Sequence, residues 1–521
     1  MSDLPADLPI SRRTMGGLVA GGAAAAVFPG LLGGCVAGRD RLATGAAPDG
    51  LRRAPPQSQG VDPQAVLAFL EEVADRKLEL HSFMLARHGQ VVSEGFWWPY
   101  RPDRPHMFHS ATKSFAVSGV AIALAEGRFA LDDKVVSFFP DELPPVVSNN
   151  LAAMTVRDLL TMQAGHANEI SGSVWRQIKT SWITEFLKIP VVHKPGTRFV
   201  YSSAASFMLS AIVTRTTGQT LHAYMEPRFF APLGIRNISW DVGPGGINPG
   251  GNGLTGRTSD LLKLGILHAQ QGRWEGRQIL PAAWVRDATT PKVETGEYGY
   301  QWWMGPERAY YALGLFTQLS IVFPDHDAVL AITGAIDGSA KLLPTVWKHF
   351  PRAFGANTVS AMRGADAALR QRTAGLRLLP ALAFTTSPVA QRISGRSFRI
   401  DRNAEQVEQV RFTFADGRCL FELRDHRGTH RIDVGLADWV EGRTGMTGNT
   451  LHHQYQPESM VVVAGGRWID PATFEMTWQF AETAFRDRVV CRFDGDRLTL
   501  DRSVNVNSAA TSLATMRGQL A

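Results

Sequence analysis

The sequence predicts an α+β fold in two parts, a mixed region over 61–355 and an all-β region over 386–521. In the first region, strand-like runs stand at both ends of a series of helical patterns. This order suits an antiparallel sheet built from the two ends of the region, with a helical block inserted between them. In the second region, short alternating runs recur between Asp-Gly turns and helical spacing is scarce. That pattern predicts a small barrel or sandwich.

Composition narrows the functional classes. The chain has 521 residues, of which 44% are hydrophobic and 20% charged, as in a globular protein of two or three domains. Its formal charge of +6 is scattered rather than clustered, so no nucleic-acid partner is expected. The sequence contains neither a phosphate-binding glycine loop nor a metal-ligand spacing, so we expect no cofactor and no metal. Four histidines without ligand spacing are predicted to be surface residues: His426, His430, His452 and His453.

The first 35 residues are typical of an export signal. Arg12 and Arg13 precede an uncharged stretch rich in Gly and Ala, which ends in Leu-Gly-Gly before Cys35. A twin arginine before a weakly hydrophobic stretch resembles a twin-arginine signal, and the ending resembles a lipobox. A transmembrane helix is the weaker alternative, because Gly and Ala supply little apolar area. We therefore predict an exported, periplasmic lipoprotein that is anchored to the membrane through Cys35, with a tether over 36–60.

Hydrophobic spacing predicts the elements of the first region, because helices repeat every three to four residues and strands alternate. The predicted helices lie at 61–77, from Ser110 onward, and at 155–163, 204–217, 259–271 and 342–354. The predicted strands are a hairpin over 81–98 and runs at 310–311, 319–323 and 328–332. We predict that residues 356–385 link this region to the next.

The strands of the all-β region are predicted at 396–400, 410–414, 420–423, 460–463, 489–493 and 498–500. Cys419 and Cys491 lie in or beside these runs. We favour two half-buried thiols that pack like small apolar residues. A single disulfide is the alternative that an oxidising compartment would allow.

The helix predicted from Ser110 begins with a Ser-x-x-Lys pattern. Ser110 and Lys113 lie three residues apart and share one face of the helix, so the lysine amine can reach the serine hydroxyl. Apolar residues on several faces of this helix place Lys113 in the interior, where a desolvated amine can act as the base that a serine nucleophile needs. They disfavour the alternative of a capping serine with a surface lysine. Tyr201 is a further candidate, as a proton relay, although an isolated tyrosine is more often a core aromatic.

Together these motifs resemble the serine β-lactamase and penicillin-binding-protein superfamily, most closely its class C, esterase and nylon-oligomer-hydrolase branch. The resemblance spans about residues 60–355 and rests on four ordered segments, 110–115, 159–165, 195–203 and 298–303. It implies a β-lactamase/transpeptidase-like domain with helices on both faces of the sheet. It also implies that Ser110 is the nucleophile, Lys113 its base and Tyr201 the relay.

The same resemblance implies an oxyanion hole made by the backbone N–H groups of Ser110 and Gln318. Aromatic residues near these motifs suggest an apolar cleft, although aromatics on one strand are as often core. Ser203 stands where the family more commonly has asparagine. The candidate substrate-binding residues are Ser203, Trp302, Trp303 and Phe316.

A cationic residue of the family is absent from the strand beside the serine. In the family this cation recognises the carboxylate of β-lactams and D-Ala peptides, whereas the aligned segment 314–317 carries no positive charge. Its absence argues against those substrates, because a buried unpaired carboxylate costs several kcal/mol. The argument fails only if Arg308 or His326 folds back to supply the charge.

We therefore predict a serine hydrolase that forms an acyl-enzyme on Ser110 and cleaves esters, small amides or short peptides, with short-chain esters preferred over β-lactams. Two alternatives remain open. One is a β-lactamase or D,D-peptidase, which export would suit. The other is a non-catalytic penicillin-binding-like sensor or binding protein, which the joint presence of Ser110, Lys113 and Tyr201 disfavours.

Overall fold

The computed structural model describes residues 48–170, 173–354 and 363–521 of the chain. The predicted export signal, with Cys35, and the first part of the predicted tether lie outside the described residues. Residues 46–521 belong to one compact unit. Within the described ranges, no helix is both long and apolar enough to cross a membrane. The same ranges hold no group of three or more candidate metal ligands.

The described part of the predicted tether packs on the body of the protein. Leu51 is buried, and Arg53 forms a parallel bridge with Val91. Pro56–Gln59 form a 3-10 helix that ends at Gly60. Residues 48–60 are therefore not a free tether, because an apolar side chain and a backbone pairing hold them in place.

The first region contains an antiparallel sheet built from its two ends, as predicted. Six strands form it, in the order β2-β1-β11-β10-β9-β8, over the part of the chain that the structure describes. The early hairpin thus lies directly beside the late strands. In chain order the strands of this region are β1 (Leu80–Arg87), β2 (Gln90–Phe96), β3 (His106–Met107), β4 (Ser239–Trp240), β5 (Leu254–Gly256), β6 (Arg273–Trp274), β7 (Arg277–Gln278), β8 (Trp303–Met304), β9 (Tyr310–Gly314), β10 (Gln318–Phe323) and β11 (Ala328–Gly334).

Helices cover both faces of this sheet. Successive residues of a strand point to opposite faces, so Phe83 and Leu85 of β1 pack with α1 and α11, whereas Met84 and Ala86 pack with α2 and α9. Nearly all of α2 is buried, as predicted. The helices are α1 (Pro63–Asp75), α2 (Thr112–Ala125), α3 (Asn149–Ala153), α4 (Val156–Leu160), α5 (Ser173–Gln177), α6 (Trp182–Lys188), α7 (Ser203–Thr217), α8 (Leu221–Met225), α9 (Thr258–Ala269), α10 (Ala282–Ala288), α11 (Leu343–Ala353) and α12 (Arg363–Ala374).

Local chemistry explains where these elements begin and end. The β1–β2 hairpin turns at His88 and Gly89, which both adopt positive φ, as a two-residue hairpin turn requires. A capping box between Thr155 and Asp158 starts α4. This helix ends earlier than the predicted 155–163, and Met162 beyond it has a left-handed φ of 59°.

The all-β region folds as a barrel after a short helix, α13 (Pro388–Ile393). A parallel bridge between Gly435 and Gly465 joins β15 to β17 and closes the ring, and β16 pairs with the first half of β17. Neighbouring strands are otherwise antiparallel. The strands are β12 (Ser397–Ile400), β13 (Gln409–Ala415), β14 (Arg418–Asp425), β15 (Gly428–Gly435), β16 (Val440–Thr444), β17 (Met460–Asp470), β18 (Thr473–Phe480), β19 (Arg486–Asp494), β20 (Arg497–Val504) and β21 (Met516–Leu520).

The barrel packs firmly against the first region. Phe316, in the loop between β9 and β10, joins the hydrophobic core of the barrel. A salt bridge of 2.6 Å links Glu79 to Arg486, and the backbone N–H of Met107 donates to the Glu482 carbonyl oxygen at 2.9 Å. The loop between β9 and β10 is therefore shaped by both regions.

Two predictions about the barrel side chains can be compared with the structure. Cys419 and Cys491 are free thiols, as we favoured over a disulfide, and both are buried. The prediction that the histidines are surface residues is wrong for His452, which is completely buried. Its Nε2 atom lies 2.6 Å from Asp487 Oδ1. His426 is exposed, as predicted.

Candidate active site

Ser110 lies in a 3-10 turn, His109–Ala111, that leads directly into the buried helix α2. Lys113 stands one turn further along and is 2% exposed. Its Nζ atom lies 2.9 Å from Ser110 Oγ, 2.9 Å from Ser203 Oγ and 2.9 Å from the carbonyl oxygen of Gly251. The Ser-x-x-Lys spacing therefore does place the amine against the hydroxyl.

Burial changes the acid–base behaviour of Lys113. Desolvation lowers the pKa of its amine from the usual 10.5 to about 7, and the negative charge of Glu169 only partly opposes this shift. Among the described residues, no carboxylate lies within ion-pair distance of Lys113. Near neutral pH, a substantial share of this lysine is therefore uncharged and able to accept a proton.

Tyr201 is the third candidate side chain, and its ring lies beside the Lys113 amine. The centroid of its ring lies 4.7 Å from Lys113 Nζ. Its ring also stacks on Trp303, with 5.7 Å between centroids. Burial raises the pKa of Tyr201 above its usual value, an effect that the nearby Ser110 hydroxyl partly opposes. Tyr201 therefore stays a protonated donor at neutral pH.

A cavity of about 410 Å³ opens beside these three side chains. Ser110, Tyr201, Ser203, Trp303 and Phe316 all lie in its wall, so most of the predicted residues meet at one place. Eight further residues of the wall carry polar or charged side chains and were not predicted as site residues: His109, Glu169, Arg176, Asn252, Thr317, Ser339, His453 and Ser508.

Comparison with known proteins identifies the family. The family model described as Beta-lactamase matches residues 70–346, just over half of the chain. The chain belongs to the beta-lactamase family. Its match to esterase EstB of Burkholderia gladioli is 27% identical and covers 36% of this chain and 54% of that protein. Its match to the 6-aminohexanoate-dimer hydrolase of Paenarthrobacter ureafaciens is 24% identical and covers 48% of this chain and 71% of that protein.

Solved structures of similar proteins include the octameric penicillin-binding protein homologue from Pyrococcus abyssi. The similarity covers 88% of this chain and 99% of that chain, at 14% sequence identity and a TM-score of 0.48. Among curated relatives, the chain spans about half the length of esterase EstB.

Trp302 does not reach the cavity of this beta-lactamase family member. Its side chain is completely buried between His268, at 4.5 Å between ring centroids, and Tyr310, at 5.4 Å. The prediction that Trp302 binds substrate is therefore wrong, and its neighbour Trp303 alone of the pair lines the cavity. The strand β8 is only two residues long, so its sequence offered no alternation from which to assign the faces.

The loop between β9 and β10 forms a strained edge of the cavity. Phe316 and Thr317 adopt positive φ values of 60° and 73°, which non-glycine residues rarely adopt. The side-chain amide of Gln318 holds the loop by donating to the carbonyl oxygens of Leu315, Phe316 and Gly334. Thr317, and not Gln318, lies in the cavity wall, and the assignment of the second oxyanion-hole N–H to Gln318 stays a prediction.

Neither of the two residues considered as substitute cations reaches the site. Arg308 is exposed and pairs with Asp325, and the ring of His326 packs 5.2 Å from that of Phe354. The positive charge of the cavity wall comes instead from Arg176 on α5. No local pattern marked this arginine, because its partners lie in the barrel, far away in sequence.

Proposed function

We propose that this protein is a serine hydrolase that forms an acyl-enzyme on Ser110 and acts on esters, small amides or short peptides. One observation carries the proposal, the 2.9 Å distance between Lys113 Nζ and Ser110 Oγ, for a lysine whose pKa is about 7. An amine that is partly uncharged at neutral pH can accept the serine proton. Family membership, and relatives named an esterase and a 6-aminohexanoate-dimer hydrolase, support the same class.

In the proposed acylation, Ser110 Oγ attacks the carbonyl carbon while its proton passes to Lys113 Nζ. Backbone N–H groups stabilise the tetrahedral oxyanion, and those of Ser110 and Gln318 remain the candidates. When the intermediate collapses, the leaving group departs with a proton that Lys113 returns through the hydroxyl of Tyr201, whose ring lies beside the lysine amine. Water then attacks the acyl-enzyme, gives its proton to Lys113 and releases the acid, which restores the Ser110 hydroxyl.

A fluorophosphonate probe tests this proposal, because it labels activated serines covalently. Wild-type protein should be labelled on Ser110, and Ser110→Ala should lose both the label and ester hydrolysis while it stays folded. Ser114→Ala is the matched control, since Ser114 lies on the same helix and donates instead to the Gln301 carbonyl oxygen at 2.7 Å. Labelling that persists in Ser110→Ala would identify a different nucleophile and end the proposal.

A substrate panel separates the candidate activities. We expect p-nitrophenyl butyrate to be hydrolysed with a higher kcat/KM than nitrocefin, because 314–317 offer a β-lactam carboxylate no cation on the strand beside the serine. A nitrocefin value at or above the ester value would favour a β-lactamase. A folded protein that neither reacts with the probe nor hydrolyses any member of the panel would be a binding or sensor protein.

We also propose that the protein is exported and anchored by a lipid on Cys35. The twin arginine and the Leu-Gly-Gly-Cys sequence support this proposal. Cells that express the full chain should incorporate labelled palmitate into the wild-type protein and not into Cys35→Ala. Equal incorporation into both proteins would contradict it.

A further inference from the structure

Arg176 brings a positive charge to the wall of the cavity that contains Ser110. Its Nη1 atom donates to the carbonyl oxygen of His453 in the barrel at 2.8 Å, and its guanidinium lies 5.5 Å from the ring centroid of Tyr455. Arg176 therefore extends from α5, and a segment of the barrel holds its guanidinium in place.

The barrel segment that holds Arg176 is itself strained. His453 and Gln454 adopt consecutive positive φ values of 55° and 59°. Two successive non-glycine residues in this conformation cost free energy, and such strain is characteristic of functional positions. The His453 ring is held in turn by Ser508, with 2.5 Å between Nδ1 and Oγ, and both residues line the cavity.

The charge of Arg176 is poorly compensated within the protein. Over the described residues, no carboxylate lies within ion-pair distance of its guanidinium. Burial lowers the pKa of Arg176, and the charge of Asp241 acts on it only from a greater distance. Because a guanidinium has five N–H donors and does not deprotonate in proteins, it favours an anionic ligand with two acceptor oxygens.

Glu169 is the acidic residue of the cavity wall. Glu169 influences the pKa values of Lys113 and Tyr201 and is not among the groups that shift the pKa of Arg176. We call the surroundings of Ser110 the catalytic end of the cavity, and the surroundings of Arg176, where α5 meets the barrel, its cationic end.

We propose that Arg176, held by the barrel residue His453, binds a carboxylate of the substrate, so that the preferred substrates are esters, amides or peptides with a free carboxylate. This inference rests on the proposed hydrolase function. It places the specificity-determining cation on α5, held by the barrel, and not on the strand beside the serine from which the family's cation reaches a β-lactam carboxylate, so the expected preference for the ester over nitrocefin stands.

Paired chromogenic esters test this proposal and locate the carboxylate. In one pair, the acyl group is hexanoyl or adipoyl, both as p-nitrophenyl esters, so that a terminal methyl group is replaced by a carboxylate. In the other pair, the leaving group carries the charge, with 3-nitro-4-butyryloxybenzoate compared with 2-nitrophenyl butyrate. We expect a preference in kcat/KM of at least about tenfold for the charged member of one pair, the size of one charge-assisted hydrogen bond.

Arg176→Gln should reduce that preference to about one, because glutamine keeps hydrogen-bonding capacity and loses the charge. Arg308→Gln is the matched control and should keep the preference, since Arg308 is exposed and pairs with Asp325 away from the cavity. Equal rates for both members of both pairs, or a preference that survives in Arg176→Gln, would overturn the proposal.

A binding measurement separates failure of this proposal from failure of the hydrolase function. Calorimetry on the Ser110→Ala protein should detect the charged member of at least one pair binding at least about tenfold more tightly than its uncharged partner. The pairs are monomethyl adipate with methyl hexanoate for the acyl side, and 4-(butyrylamino)benzoate with butyranilide for the leaving-group side. Ser110→Ala/Arg176→Gln should lose this difference. If the wild-type protein hydrolyses no ester, the hydrolase function fails, and the calorimetric comparison still decides whether Arg176 binds carboxylates.

Discussion

Two buried cations of this protein have opposite surroundings. Lys113, in the candidate active site, contacts two hydroxyls and a carbonyl oxygen, and its pKa falls to about 7. Arg502, in the barrel, donates through Nε to Asp487 at 2.7 Å, and Asp487 also contacts His452. The comparison shows that the acid–base behaviour of a buried cation depends on whether a carboxylate lies beside it. A buried arginine beside a carboxylate stays paired with it, whereas a buried lysine without such a partner has a lowered pKa and can accept a proton.

The pKa of Asp487 follows the same rule. Burial alone would disfavour its charged form, but His452 and Arg502 outweigh this effect and hold the pKa of Asp487 below its usual value. Asp487 therefore stays ionised at neutral pH, while Lys113 titrates near neutrality.

Among the variants that test this comparison, removal of the Lys113 amine should cause the largest change, a loss of acylation rate. We expect Lys113→Met to reduce the acylation rate by about 100-fold to 10,000-fold, the usual range for loss of a general base, because methionine fills the volume without accepting a proton. Lys263→Met is the matched control: Lys263 is also buried, but its amine donates to the Gly234 carbonyl oxygen away from the cavity. Single-turnover kinetics measure both, and near wild-type acylation in Lys113→Met would make that lysine structural.

Removal of Asp487, which contacts Arg502 and His452 in the barrel, should lower the stability of the protein rather than its activity. Asp487→Ala leaves a buried arginine without its partner, so we expect the free energy of unfolding to fall by about 3–5 kcal/mol in chemical denaturation. Asp501→Ala removes a more exposed partner of Arg492 and should cost no more than about 1 kcal/mol. Equal losses in the two variants would show that burial of the pair does not matter.

The smallest of these effects is expected at Tyr201. Tyr201→Phe removes one hydroxyl and little packing, and should lower kcat by roughly tenfold or more if that hydroxyl delivers a proton to the leaving group. Tyr310→Phe controls for loss of a buried hydroxyl, since the Tyr310 hydroxyl has no hydrogen-bond partner among the described residues. Unchanged kcat and KM in Tyr201→Phe would reduce its role to packing.

The catalytic end of the cavity was accessible from sequence because its central contact is local. Ser110 and Lys113 share one helix, and three-residue spacing is enough to place them together. Alternation likewise predicted six strands of the barrel, whereas β15, β16, β18 and β21 were not predicted. Closure of the barrel could not be predicted, since one bridge between residues that are not neighbours in sequence decides it.

The cationic end could not be predicted, because its contacts join residues that are far apart in sequence. Arg176 and His453 are 277 positions apart, and no periodicity connects them. The adjacent histidines illustrate the difficulty: His452 is buried beside Asp487, whereas His453 faces the cavity. Likewise, Trp302 is buried in the core, whereas its neighbour Trp303 lines the cavity.

The central claim is that Lys113 is a base because burial without a carboxylate partner lowers its pKa to about 7. The most direct test is the rate of Ser110 acylation by a neutral short-chain ester, measured from about pH 5 to about pH 9. The protonated amine cannot accept a proton, so the rate should rise about tenfold per pH unit below about pH 7 and level off above it. A rate that does not change with pH, or that keeps rising toward the ordinary lysine pKa of about 10.4, would contradict the account.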